Sequence, residues 1–138
     1  MRLKPPYRYS IYAAFAALVL TGAGWLLADW QKSTSSDEIW QQTASYMLMM
    51  HGGIAMVTLL LLGAMIPLHF LRSWRTGRNR TSGSVMVTLN AVLIVTAFGL
   101  YYLGSETVRP WMSWTHLVVG FSVPVLFTAH VFLGRRTR

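Results

Sequence analysis

Four long apolar segments divide the chain, and they constrain its fold more than any other feature. They run from about residue 10 to 27, 46 to 71, 85 to 103 and 112 to 133. Each contains about the ~20 residues that a helix needs to cross the hydrocarbon layer of a bilayer. Only 12% of the residues are charged, about half the fraction of a typical soluble domain. Residues 1–138 are therefore predicted to form one all-α membrane domain, an up-and-down bundle of four transmembrane helices.

Basic residues predict the orientation of these helices in the membrane. Ten of the 12 lysines and arginines lie before the first segment, between the second and third, or after the fourth: Arg2, Lys4, Arg8, Arg72, Arg75, Arg78, Arg80, Arg135, Arg136 and Arg138. All four acids lie in the connectors on the opposite side. Because positive loops remain in the cytoplasm, both termini are predicted to be cytoplasmic, in a bacterial inner membrane. The net charge of +8 thus reflects topology, and nucleic acid is not expected as a partner.

The first segment also allows a different interpretation. Its basic start, apolar run and small residues before Asp29 are features of a signal peptide. Cleavage there would leave three spans and would break an internal repeat, so we expect four spans.

The repeat relates the two halves of the chain. In each half, a helix bearing a Thr-x-x-Gly sequence precedes a helix bearing two histidines. The matching pairs are Thr21–Gly24 with Thr96–Gly99, His51 with His116, and His69 with His130. The repeated order predicts two similar helical hairpins.

All four histidines lie in the second and fourth segments, which run parallel if both termini are cytoplasmic. His51 and His116 then lie near the outer surface, and His69 and His130 near the inner surface. The helix of the second segment spaces its histidines by 18 residues, about five turns, and that of the fourth by 14, about 40° short of four turns. Each helix would thus present both histidines on nearly one face, giving two facing histidine pairs.

Facing imidazoles inside a membrane indicate a bound metal group, because an ionisable side chain in hydrocarbon is costly unless it has a function. Bis-histidine ligation of haem iron requires this arrangement. Gly24 and Gly99 could make room for a porphyrin or could serve close helix packing, and Arg72 and Arg75 could pair with propionates or only set topology. The chain has no cysteine, which excludes thiolate metal sites.

In this arrangement the chain resembles the four-helix dihaem cytochrome b group. That group includes the haem-binding core of quinol-oxidising cytochrome b, bacterial b561-type cytochromes and flavinylation-associated membrane cytochromes. The resemblance implies that His51, His69, His116 and His130 ligate two haems b, with glycines of the first and third helices against the porphyrins. It also implies an electron-transfer subunit of a respiratory oxidoreductase complex, with quinone or another redox protein as partner, and not a stand-alone enzyme.

The second segment departs from the pattern of this group, in which both helices space their histidines as His116 and His130 do. Pro67, two residues before His69, could bend the helix and absorb part of the longer spacing. Alternatively, Met65 lies 14 residues after His51 and is a candidate ligand. A single haem, held by His51 and His116, therefore stays open beside two.

A haem-free protein is the alternative from another class. It would be a membrane anchor, or a small metal or ion transporter that uses the histidines as ligands. The near-absence of carboxylates within the apolar segments argues against a cation-coupled transporter, which usually requires them.

Overall fold

A computed structural model describes residues 5–35, 37–77 and 80–136, with Leu68, Ser73, Thr76, Arg135 and Arg136 described by their backbone alone. These residues are almost entirely helical and include no strand. The elements in chain order are α1 (Pro5–Thr34), α2 (Glu38–Met65), a π-helical segment (Ile66–Phe70), α3 (Leu71–Thr76), α4 (Arg80–Tyr102) and α5 (Val108–Arg136). Of the basic residues behind the orientation prediction, Arg2, Lys4, Arg78 and Arg138 lie outside the described residues.

Four of the described helices are long and apolar enough to cross a membrane. They are Pro5–Thr34, Glu38–Met65, Arg80–Tyr102 and Val108–Gly134. The prediction of an all-α integral membrane protein with four spans is thus confirmed. Helices α1 and α5 extend beyond their apolar segments at both ends, because polar residues outside the hydrocarbon layer can continue a helix without desolvation cost.

Local sequence signals account for two helix ends. Glu38 opens α2 and places a carboxylate at the positive end of the helix dipole. Gly77 ends α3 in a left-handed conformation (φ 72°), and its N–H donates to the Trp74 carbonyl at 3.3 Å. That conformation favours glycine because a side chain would clash with the backbone.

The chain divides into two compact units, Met1–His69 and Phe70–Arg138, and each contains one helical hairpin. In the first unit, Gly24 of α1 lies beside Met47 of α2, and the Tyr7 hydroxyl donates to the Leu61 carbonyl at 3.3 Å. Residues later in α1 therefore meet residues earlier in α2, so the two helices are antiparallel.

The second unit repeats this arrangement with α4 and α5. Gly99 lies beside Met112, and Ser82 lies beside His130, so these two helices are antiparallel as well. The two similar hairpins predicted from the internal repeat are therefore present in the structure.

Small side chains occupy the interior of each hairpin. The buried residues are Ile11, Ala14, Ala28, Ala44 and Thr58 in the first unit, and Thr96, Gly99 and Val123 in the second, so most of them are small. Small residues let two membrane helices approach closely, which is the main source of packing energy where lipid is as apolar as the protein. Large apolar side chains lie on the outside, with exposed fractions of 72% for Leu20 and 76% for Leu60, which suits a surface covered by lipid tails.

The predicted second span, residues 46 to 71, is not one continuous α-helix. The α-helical geometry ends at Met65, and Ile66–Phe70 form a π-helical turn. Pro67 has no N–H, so it cannot bond the Gly63 carbonyl as an α-helix requires, and the Ile66 N–H donates to that carbonyl instead. Pro67, the residue that could bend the helix, lies within this irregular segment.

Replacement of Gly99 by leucine should destabilise the second hairpin. A Cβ atom at Gly99 would lie 3.3 Å from Met112 Sδ and 3.4 Å from Leu103 Cδ1, so a larger side chain would force the helices apart. We expect a loss of about 1–3 kcal/mol in the free energy of unfolding, measured by denaturant titration in detergent. Gly83→Leu is the matched control, since Gly83 lies in the same helix and a Cβ there meets nothing within 4 Å. Equal stability of the two variants would contradict the packing.

Candidate functional site

His51 of α2 is held by a hydroxyl group of the neighbouring helix. Its Nδ1 atom lies 3.0 Å from Thr21 Oγ1 of α1, and the imidazole is partly buried between the two helices. Gly22, the next residue of α1, faces the ring: a Cβ there would lie 3.4 Å from His51 Cε1, so a side chain larger than that of alanine would meet the imidazole. Helix α1 thus provides both a hydrogen-bonding partner and space for one imidazole.

His116 of α5 has the same support in the second unit. Its Nδ1 atom lies 2.9 Å from Thr96 Oγ1 of α4, and Thr96 is 5% exposed. Thr21 and Thr96 occupy equivalent places in the internal repeat. The same imidazole–hydroxyl pair is therefore built twice, once in each hairpin.

A second contact recurs beside each of these pairs. Gly24 and Gly99 each follow the threonine by three residues, and Met47 and Met112 each precede the histidine by four. A Cβ at Gly24 would lie 3.0 Å from Met47 Sδ, and a Cβ at Gly99 would lie 3.3 Å from Met112 Sδ. Both glycines thus pack against methionine of the facing helix. This is the close-packing role that the sequence left open beside a porphyrin contact.

His130 lies in the last quarter of α5 and also has a hydroxyl partner. Its Nδ1 atom lies 3.1 Å from Ser82 Oγ at the beginning of α4. Ser82 precedes Thr96 by 14 residues, and His130 follows His116 by 14 residues. The second hairpin therefore holds two imidazole–hydroxyl pairs in matching register. Helix α5 runs unbroken through Pro124 between the two histidines.

His69 is placed differently, because it lies within the π-helical segment. A π-helical turn closes i→i+5 hydrogen bonds and holds one residue more than an α-helical turn, which rotates the following side chains by about one residue, roughly 100°. The estimate of five α-helical turns therefore no longer places His69 on the same face as His51. Met65, the other candidate ligand, is the last residue of α2.

The predicted propionate partners, Arg72 and Arg75, lie on the short helix α3 with exposed side chains. Arg80, by contrast, stabilises the end of α3. Its Nε and Nη2 atoms donate to the Trp74 carbonyl at 3.1 and 2.8 Å, and its guanidinium lies 5.6 Å from the centre of the Trp74 ring. The sequence did not single out Arg80 for this structural contact among the arginines of the connector.

Three residues of the site were missed by sequence reasoning as histidine partners: Thr21, Thr96 and Ser82. The two threonines were noticed only as parts of the glycine-bearing repeat. Since the chain offers many serines and threonines, only the antiparallel register shows which of them meet histidines. The equal 14-residue spacing of the hydroxyls in α4 and the histidines in α5 was the available signal.

No group of three histidine, aspartate or glutamate side chains able to hold a metal ion occurs among the residues that the structure describes. A bis-histidine haem site needs only two protein ligands, so this finding bears on bare metal ions and not on haem. Comparisons with protein-family models, curated proteins and solved structures found no match to this chain.

The contact between Gly22 and His51 can be tested with a double-mutant cycle. Gly22→Leu should cost about 1–3 kcal/mol of unfolding free energy, because the new side chain would meet the imidazole. In a His51→Ala background the cost of the same substitution should fall by at least about 0.5 kcal/mol, since the obstructing ring is gone. Denaturant titration in detergent measures all four proteins. Additive effects would show that Gly22 and His51 do not share this space.

Proposed function

We propose that the chain is a membrane b-type cytochrome subunit that carries electrons across the bilayer, with two bis-histidine haems b as cofactors. The observation that carries the proposal is the imidazole–hydroxyl pair found at equivalent places in both hairpins. Polar side chains in a membrane span are expensive, and two identical arrangements of this kind favour a repeated function over repeated packing. Haem b would supply the one-electron redox chemistry.

The donor set suits this cofactor. Histidine is a haem ligand that the spans supply at equivalent places in both hairpins, and thiolate ligation is excluded because the chain has no cysteine. Metal-binding histidines usually donate their second ring nitrogen to an oxygen atom, and Thr21, Thr96 and Ser82 offer such oxygens. The proposal assigns His51 and His116 to one iron, and His69 and His130 to another.

The spacing along α5 supports two separate irons. His116 and His130 are 14 residues apart in an unbroken helix, which corresponds to about 21 Å along its axis. One iron cannot bind both. The inner site differs from the outer one because His69 lies within the π-helical segment. The version of the proposal with a single haem therefore keeps the site at His51 and His116.

The partners follow from the arrangement of the chain. The connectors between the spans are short, so electron donor and acceptor would be other subunits of a redox complex, another redox protein or quinone. By the positive-inside rule, both termini would be cytoplasmic, in a bacterial inner membrane. Arg72 and Arg75 would then face the cytoplasm, where they could pair with haem propionates.

Purified protein should be coloured. We expect a Soret band in the oxidised state, a sharp α-band on reduction, and two haems per chain by the pyridine haemochrome assay, because four histidines provide two axial pairs. One haem per chain would support the version of the proposal with a single haem at His51 and His116. Protein that is folded but lacks a Soret band would overturn the cytochrome assignment and favour a haem-free anchor.

His116→Ala should remove the spectrum of one haem and leave the other, since each iron is assigned its own histidine pair. Asn90→Leu is the control: its amide donates to the Met86 carbonyl of its own helix at 2.8 Å, so its loss should leave both haems in place. Haem stoichiometry and reduced-minus-oxidised spectra give the result. Retention of both haems with unchanged axial spectra in His116→Ala would contradict the assignment.

Membrane orientation can be measured cleanly because the chain has no cysteine. Single cysteines at the exposed positions Ser105 and Arg75 would lie in connectors on opposite sides of the membrane. A thiol reagent that cannot cross membranes should label Ser105→Cys in intact spheroplasts, and Arg75→Cys only after the membrane is opened. The reverse pattern would show that the termini are outside.

A further inference from the structure

Two threonine hydroxyls lie between a carbonyl oxygen and an imidazole, and this arrangement favours one position of their protons. Thr21 Oγ1 lies 2.7 Å from the Ala17 carbonyl oxygen and 3.0 Å from His51 Nδ1. Thr96 Oγ1 lies 2.8 Å from the Val92 carbonyl oxygen and 2.9 Å from His116 Nδ1. A carbonyl oxygen has no proton to share, so both contacts of each hydroxyl are hydrogen bonds only if the hydroxyl donates its single proton to the carbonyl.

The proton on the imidazole follows from this assignment. A hydroxyl that donates to the carbonyl can only accept a hydrogen bond from the ring, so the arrangement with both hydrogen bonds requires a proton on Nδ1. In the opposite tautomer, the hydroxyl would donate to the Nδ1 lone pair and give up its hydrogen bond to the carbonyl. The Nδ1–H tautomer therefore has one hydrogen bond more. In a neutral imidazole with the proton on Nδ1, the lone pair that can bind a metal is on Nε2.

We infer that Thr21 and Thr96 are positioning residues that hold His51 and His116 in the Nδ1–H tautomer, so that each ligates iron through Nε2. This inference rests on the proposed function for its metal, although the tautomer itself does not require one. In both cases the group that accepts the Nδ1–H hydrogen bond is a neutral hydroxyl. The histidine ring therefore gains electron density but keeps its Nδ1 proton. Ser82 Oγ lies 3.1 Å from His130 Nδ1, a third contact between an imidazole and a hydroxyl.

Three variants of the second hairpin separate tautomer control from simple packing. Thr96→Val keeps the branched shape but lacks the hydroxyl, whereas Thr96→Ser keeps the hydroxyl. Thr128→Val is the matched control, because the Thr128 hydroxyl donates to the Pro124 carbonyl of its own helix at 2.7 Å. Nitrogen-15 NMR of histidine-labelled protein without haem should show His116 as the Nδ1–H tautomer in wild type, Thr96→Ser and Thr128→Val. Thr96→Val should show a mixture of both tautomers.

The haem-loaded protein provides the second readout. Loss of the oxygen that accepts from a metal-binding histidine typically weakens metal binding by about 10–100-fold, so Thr96→Val should release haem more readily by that factor. The midpoint potential of one haem should also rise, because a less basic imidazole stabilises the ferric state less. Thr96→Ser should restore both properties.

The outcomes distinguish the inference from the proposed function. Haem binding with an unchanged tautomer, affinity and potential in Thr96→Val would overturn the positioning role and leave the cytochrome assignment standing. Absence of haem from wild type, together with the expected tautomer change, would overturn the cytochrome assignment and leave the tautomer control standing. If Thr96→Val does not fold, Thr21→Val provides the same test, because it makes the same change in the first hairpin.

Discussion

Hydrocarbon offers no water to a polar side chain, and this constraint determines how the histidines of this protein are placed. Each imidazole in a span needs a partner supplied by the protein itself. His51 and His116 find theirs in a threonine of the antiparallel neighbour helix. These threonines also donate to carbonyls of their own helices, so they lie within the membrane without an unsatisfied proton. The hairpin is therefore the smallest unit that can hold such a histidine.

Close approach of the two helices makes these hydrogen bonds possible. Gly24 and Gly99 admit the methionine side chains of the facing helices, and Gly22 admits the His51 ring. A larger residue at any of these positions would increase the distance between threonine and histidine. The glycines therefore act indirectly: they position the helices that carry the site. Their recurrence with threonine in both hairpins suggests that each hairpin is one copy of the same structural solution.

The two hairpins differ at their other end. In the second, His130 continues the regular register of α5 and meets Ser82. In the first, Pro67 interrupts the α-helical hydrogen bonding, and His69 lies in a π-helical segment. π-Helical turns often occur at functional sites, because they re-aim side chains at a cost in backbone regularity. This difference is the physical basis for expecting unlike inner and outer sites in the proposed cytochrome.

The sequence by itself determined the four spans, the hairpin repeat and the four histidines as the candidate site. Hydrophobic length and repeated order are local properties, so they can be counted along the chain. Which hydroxyls meet the histidines was decided only by the tertiary structure, because one serine or threonine in a span resembles another until the antiparallel register is known. The same holds for Gly24 and Gly99, whose neighbours are methionines. The change of face at His69 also required the structure, since Pro67 indicates an irregular helix but not that a π-helical turn forms.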